Sequence, residues 1–363
     1  MRILAQISRY FVGILFIISG FVKLVDPMGT AIKLEEYFYV FSQDFFSGFE
    51  SLIPASMFFS FSFLVAEVIL GLVILLLYRI KITAWIAFGL IVFFTFLTGY
   101  SAYTHNVTDC GCFGDAVTLT PLQSFFKDLV LLVLTGIIVL YRKQFIITWN
   151  DRKLTLIVGI STVLAFIFSW YNYQYLPVID FRSYSKGANL DSLTHDGSPD
   201  KYMYEFEKIA TGDIVKSKKY LKEGYKYIGY EIEKGDLPTI PDFVVTNKEG
   251  INYNPTLFKG EKLIITGANI KNKADFIAVD KYIKTQLNIL PNKGLKIVYL
   301  TSVSFDVFES FLKESNIYYD ELYNLDATAI KAMIRSNPGI ILMNDAIVIQ
   351  KWHLNNLKKV KVN

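Results

Sequence analysis

The chain of 363 residues contains two cysteines, two positions apart, in Asp109-Cys110-Gly111-Cys112-Phe113-Gly114-Asp115. A Cys-x-Cys pair can close a disulfide only in a small, strained ring, and strain makes a disulfide easier to reduce and more oxidising. Such a pair suits thiol–disulfide exchange better than structural stapling. A nearby cation would lower the thiol pKa and raise the thiolate fraction, and Lys127 and His105 are the candidates. The competing reading is that Cys110 and Cys112 pack a tight glycine-rich turn and do no chemistry. A metal site is disfavoured, because two thiolates and His105 give three ligands with no evident fourth.

The elements that hold this loop are apolar. Hydrophobic residues make up 52% of the chain and aromatics 16%, against 19% charged. That is too apolar for an average soluble protein, and the apolar residues crowd into the first half. Crossing a bilayer takes roughly 20 residues. Spans of that length are predicted from about Ser8 to Val25, Met57 to Tyr78, Ile82 to Tyr103, Leu122 to Tyr141 and Leu154 to Tyr175. A cleaved signal peptide is disfavoured for the first, which ends in Lys23-Leu24-Val25-Asp26-Pro27 with no small-residue cleavage site. Tyr78, Tyr100, Tyr103, Tyr141, Trp149, Trp170 and Tyr175 gather at span ends as an aromatic belt. The formal net charge is only +4 and the lysines form no basic stripe, which argues against nucleic-acid binding.

Basic residues set the expected orientation. Arg2 and Arg9, then Arg79 and Lys81, then Arg142, Lys143, Arg152 and Lys153 fall on one side of the predicted spans. The segment Asp26 to Ser56, read as a loop, has one basic residue, Lys33, and the cysteine loop has none before Lys127. The positive-inside rule then puts the N-terminus in the cytoplasm, and the cysteine loop and everything after Leu176 outside, in an oxidising compartment. Within the spans, Glu67 lies near the middle of the second, where an ionised carboxylate is costly and marks a candidate site. The alternative is a hydrogen-bonded Glu that holds helices together. Lys23 and Asp26, and Lys127 and Asp128, lie at span ends level with the cysteine loop. These four could line an outer pocket for a quinone head group or a thiol substrate, with Glu67 joining Cys110 and Cys112 as catalytic candidates.

These residues resemble a family. Ser19-Gly20-x-x-Lys23-x-x-Asp26-Pro27, Glu67 with Gly71, Cys110-Gly111-Cys112-Phe113-Gly114 and Lys127-Asp128-Leu129 are similar to DoxX/MauE-type membrane proteins over about residues 5–145. The resemblance implies a four-helix membrane bundle tied to redox processes. One branch is linked to methylamine utilisation through maturation of methylamine dehydrogenase, another to thiol or thiosulfate oxidation coupled to quinone. The second Cys-x-x-Cys pair of the bacterial disulfide-forming quinone reductases is absent here. The fifth span and long tail look like the DoxX-domain proteins of Bacteroidetes.

In the tail, strands are predicted at Pro241–Val245, Leu263–Thr266 and Leu295–Leu300. A helical repeat runs through Phe276, Val279, Ile283 and Leu287, and another from Phe305 to Glu314. A short strand is expected near Tyr318–Tyr323, a helix at Ala327–Arg335, a hairpin through Asn344-Asp345 and a terminal helix at His353–Val360. Short strands could lie between Lys201 and Tyr230. This order resembles a thioredoxin-like domain, with Asn337-Pro338-Gly339 at its cis-proline position. Where that fold carries Cys-x-x-Cys, this chain has Gly267-Ala268-Asn269-Ile270. His195 and His353 are read as surface residues.

The expected organisation is residues 1–148 as a DoxX/MauE-like four-helix transmembrane domain, 149–176 as a fifth transmembrane helix, 177–237 as an extracytoplasmic connector and 238–363 as a degenerate thioredoxin-like domain. The fold class is thus an α-helical membrane bundle followed by an α/β domain. The expected function is thiol/disulfide or quinone-linked redox chemistry in a bacterial inner membrane, of the thiol:quinone oxidoreductase type. The alternative is a non-catalytic assembly or binding module. Expected partners are the lipid bilayer and an envelope protein client or redox partner at the periplasmic domain.

Overall fold

Helix boundaries in the first half follow from chain chemistry that hydropathy alone does not register. The computed structural model describes residues 2–104, 112–117, 119–145, 150–195, 201–208, 213–217, 225–233, 238–240, 243–286 and 294–361. Two compact units divide at Arg182/Ser183.

In the first unit, α1 spans Arg2–Val25, α2 Pro27–Asp44, α3 Ser56–Leu76, α4 Ile80–Thr104, α5 Pro121–Tyr141 and α6 Asp151–Gln174. Five helical segments among the described residues are long and apolar enough to cross a membrane, and each coincides with a predicted span. The segment expected as a loop after Asp26 is instead α2 and a 3-10 helix, Ser47–Ala55. Asp26 caps α2, its carboxylate accepting from Gly29 N at 3.0 Å, and Pro27 opens the first turn, where its missing N–H costs nothing. Tyr37 and Phe41 bury one face of α2 against Leu97 of α4. A capping box, Thr120 with Gln123, starts α5.

The helices α1 and α3 lie antiparallel and close. A Cβ on Gly71 would come within 2.7 Å of Gly13 O, and one on Gly20 within 2.5 Å of Val68 Cγ2. Glycine at these crossings lets the backbones approach, as small residues do in membrane bundles. The cysteine loop contributes one described strand, β1 (Cys112–Asp115), which packs against α1 and α2.

The second unit contains two sheets. β2 (Lys201–Lys208), β3 (Ile214–Ser217) and β4 (Tyr225–Glu233) form an antiparallel sheet in the order β3-β2-β4. They fall in the stretch read from sequence as a connector. Before them comes the short helix α7 (Leu190–His195). Just ahead of α7, Gly187 N and Leu190 N donate to Val348 O and Ala346 O at 2.8 and 2.9 Å, so the chain from Ser183 onward is part of this unit.

The larger sheet runs β7-β6-β5-β8-β9, where β5 is Glu261–Gly267, β6 Lys296–Thr301, β7 Glu321–Asn324, β8 Gly339–Asn344 and β9 Ile347–His353. β5, β6 and β7 are parallel, while β8 and β9 are antiparallel to their neighbours. α8 (Asn254–Leu257) precedes β5, and α9 (Lys273–Gln286), α10 (Phe305–Glu314) and α11 (Ala327–Met333) join β5 to β6, β6 to β7 and β7 to β8. Phe276, Tyr299, Phe308, Ile340 and Trp352 are among its buried core. Asn337–Pro338 is a cis peptide immediately ahead of β8, at the position expected of a thioredoxin-like domain.

Three local expectations are corrected. Phe243–Val245 is not a strand: only Thr246 makes bridges, to Asn252 and Asn324, and Pro241 and Asp242 lie outside the described residues. The apolar character of this segment reflects burial of Phe243 and Val245 in the core without ladder pairing. The terminal helix is a 3-10 helix, Leu354–Lys359. His353 is half-buried because it ends β9 and caps that helix, its Nδ1 accepting from Asn355 N at 3.0 Å, while His195 is exposed as expected.

Candidate functional site

Ser19 and Lys23 are one turn apart on α1 and share a face, which the glycine crossings press against α3. Glu67 on α3 meets both. Lys23 Nζ lies 2.6 Å from Glu67 Oε2, and the Ser19 hydroxyl donates to Oε1 at 2.6 Å. The two charged side chains are 9% and 8% exposed. Each carboxylate oxygen thus has a donor, which offsets part of the desolvation that a buried charge suffers. The Lys23 ammonium also lies 5.7 Å from the centre of the Phe94 ring on α4, a cation–π contact.

A second ion pair stands on α5. Lys127 Nζ is 2.5 Å from Asp128 Oδ1, and the Thr98 hydroxyl of α4 donates to Oδ2 at 3.1 Å. Asp128 is fully buried, whereas Lys127 is partly exposed. Thr98 is one turn beyond Phe94, so α4 carries a contact to each pair.

The cysteine loop reaches both pairs through β1. Lys127 Nζ is 5.7 Å from the Phe113 ring centre. Gly114, at φ +53°, lies beside α1, where an added Cβ would stand 4.0 Å from Lys23 Cγ. The left-handed backbone here favours glycine. Cys112 begins β1, while Cys110 and His105 lie outside the described residues.

Of the residues expected to form one outer pocket, Lys23 joins Glu67 and Lys127 joins Asp128, in two pairs. Asp26 serves as the cap of α2. Ser19, Thr98 and Phe94 complete the arrangement. Ser19 stands in the sequence motif that it shares with Lys23, and its i, i+4 spacing to that residue puts both on one face. Thr98 and Phe94 carry no comparable sequence signal, because their partners are distant in the chain.

In the second unit, the end of the sheet where a dithiol would stand is closed by side-chain hydrogen bonds. Asn337 Nδ2 donates to Asn269 O and Oδ1 at 3.0 and 3.1 Å. The Thr301 and Ser302 hydroxyls donate to Gly267 O and Ala268 O at 2.9 and 2.8 Å. No cysteine occurs beyond Cys112. Burial pushes the Tyr299 hydroxyl up and lowers the His353 imidazole to about 4, both through desolvation of the charged form. Burial also lowers Lys262, at the opposite end of the sheet, despite Glu321 nearby.

The cysteine loop, the ion pairs and the helices around them all lie within one contiguous stretch, and comparison with known families tests that stretch directly. Residues 1–141 match the family model of methylamine utilisation protein MauE. The MauE match covers the first four predicted spans, α2 and both ion pairs, and stops before α6. Among curated proteins, Protein TlpB of Flavobacterium psychrophilum is 30% identical over 169 residues. That alignment takes in 44% of this chain and 42% of the relative, so the chain spans less than half of that protein's length. No solved structure matches.

Proposed function

We propose that the chain is a membrane redox protein in which Cys110 and Cys112 cycle between dithiol and disulfide at the end of the MauE-type bundle. Oxidation of the pair forms one S–S bond and releases two electrons and two protons to an acceptor, and reduction reverses this. The observation that carries the reading is the approach of β1, which runs directly from Cys112, to a buried ammonium–carboxylate pair. Apolar bundles keep intramembrane charges chiefly where chemistry or transport needs them. Lys127, beside the Phe113 ring, is the cation suited to favour thiolate at Cys112.

A quinone fits as the acceptor on the donor set present. The Lys23 ammonium has three N–H donors, of which Glu67 takes one. Phe94, with Phe63 at 6.4 Å, offers ring surface beside it. A bound quinone would supply a sink for two electrons and two protons. Lys23 would hold a carbonyl oxygen, and Glu67 and Ser19 would keep Lys23 in place. A small thiol is the other substrate class for this site.

In this reading the start of α1 faces the cytoplasm of a bacterial inner membrane, as the basic residues at that end favour, and the cysteine loop and second unit face the periplasm. The hydrogen-bonded Gly267–Ile270 turn favours a binding role for the second unit, towards an envelope protein client, over exchange chemistry of its own.

The test is to trap thiols in cells with an alkylating mass tag, in wild type and in Cys112→Ser. The redox reading expects a wild-type pair that shifts with quinone supply, or a mixed disulfide captured by the variant. A pair held in one state under every condition would leave the protein as a membrane assembly module.

A further inference from the structure

The end of the bundle away from the cysteine loop contains a buried cation that the redox reading does not use. The start of α1, the end of α3, the start of α4, the end of α5 and the start of α6 meet there. This follows from the antiparallel contacts Arg9 to Leu75, Trp85 to Arg142 and Tyr78 to Thr155. Arg9 on α1 is 6% exposed. Its Nη1 donates to Leu75 O at 3.4 Å, a long bond to a carbonyl of the last turn of α3. Among the described residues its Nε meets no hydrogen-bond partner, and neither does the fully buried hydroxyl of Ser8 beside it in sequence.

No carboxylate among the described residues forms an ion pair with Arg9. In the segments that meet at this end, 1–10, 75–85 and 139–155, Asp151 is the one acidic residue, and it is exposed. The same segments carry Arg79, Lys81, Arg142, Lys143, Arg152 and Lys153. A guanidinium has five donors in a planar fork suited to a phosphate. Burying it with one long bond is unfavourable unless an anion completes it.

We propose that Arg9 holds the phosphate of an anionic phospholipid, with the surrounding basic residues raising the local concentration of that lipid. A lipid is favoured over free phosphate by what flanks Arg9. Tyr10, the next residue on α1, is 52% exposed, so the approach to the guanidinium runs beside an outward-facing aromatic ring, a surface that a lipid matches and a hydrated ion does not. The Arg9 guanidinium also lies 4.2 Å from the Tyr10 ring centre, and tyrosine collects at headgroup level. The site is separate from the cysteine loop, so failure of the redox reading leaves it standing, and the reverse.

The test uses the full chain in phosphatidylcholine nanodiscs with and without phosphatidylglycerol. Phosphatidylglycerol should raise the wild-type unfolding temperature, and Arg9→Gln should lose that lipid-dependent rise. Retention of phosphatidylglycerol in native mass spectrometry should weaken by about tenfold or more, the loss expected for charge-assisted bonds. If Arg9→Gln does not fold, wild type decides alone: diacylglycerol, with the same tails and no phosphate, should fail to substitute. Three results overturn the proposal. Arg9→Gln could lower the midpoint equally in both lipid mixtures, which makes Arg9 only a cap for α3. Inorganic phosphate could give the same rise in pure phosphatidylcholine. Diacylglycerol could substitute fully.

Discussion

Lys23→Met strands a carboxylate inside the bundle, and the size of the penalty tests whether the Lys23–Glu67 pair is as enclosed as its geometry indicates. Glu67 would keep the Ser19 bond and lose its counterion 2.6 Å away. Removing one partner of a buried pair costs about 3–5 kcal/mol, whereas replacing both by apolar groups of similar volume is often near neutral. Lys23→Met should therefore destabilise by that amount. Lys23→Met/Glu67→Leu should return to within about 1 kcal/mol of wild type, a coupling near 3 kcal/mol or above. Equilibrium unfolding of the full chain in bicelles, followed by tryptophan fluorescence, measures all three. An exposed pair would instead yield no more than about 1 kcal/mol. A single-variant loss that small, or a double variant that loses the sum of both singles, would refute the argument. The double variant also separates stability from function. If the pair only joins helices, the folded double variant keeps the redox response of Cys110 and Cys112. If it holds the acceptor, that response disappears while the fold remains.

Other consequences can be checked in the same preparations. Gly71→Ala places a Cβ within 2.7 Å of Gly13 O and 2.9 Å of Ile17 Cγ1, so α1 and α3 must part. Overpacking costs about 1–3 kcal/mol, and cross-linking efficiency between the ends of α1 and α3 should fall with it. Thr120→Ala removes the capping box of α5 and should cost about 1 kcal/mol, with faster amide exchange at Gln123. His353 accepts a bond from Asn355 N only when its Nδ1 is unprotonated. Its folded pKa of about 4 lies below the ordinary value of 6.5, so the neutral form is favoured in the folded state. The contribution is complete above about pH 6.5 and declines as pH falls towards 4, and the protection of the Asn355 amide, its exchange relative to an unstructured chain at the same pH, should fall over that window. His353→Asn, an acceptor that does not titrate there, should flatten the dependence.

The sequence determined the elements of this protein, because hydropathy over twenty residues and strand or helix periodicity are local properties. Five spans and the strands β5, β6, β8 and β9 are legible for that reason. The helix α2 was missed, read as a loop despite the Asp26-Pro27 start signal, because its modest apolar content resembles that of loop residues. The cysteine pair stands out because there are no other thiols. Glu67 was marked by the cost of a carboxylate in a span and Lys23 by its place at a span end, yet their pairing was not, since they are 44 positions apart. Only the tertiary structure decided that pairing, through Gly13, Gly20 and Gly71, which set how closely α1 and α3 approach. It likewise put Lys23 with Glu67, Lys127 with Asp128 and Asp26 at the cap of α2 where one pocket was expected, brought Thr98 to Asp128, and left Arg9 buried with no ion-paired carboxylate among the described residues. A charge in an apolar run announces itself by type, but which neighbour neutralises it depends on helix packing, and packing is set by side chains that carry no charge at all.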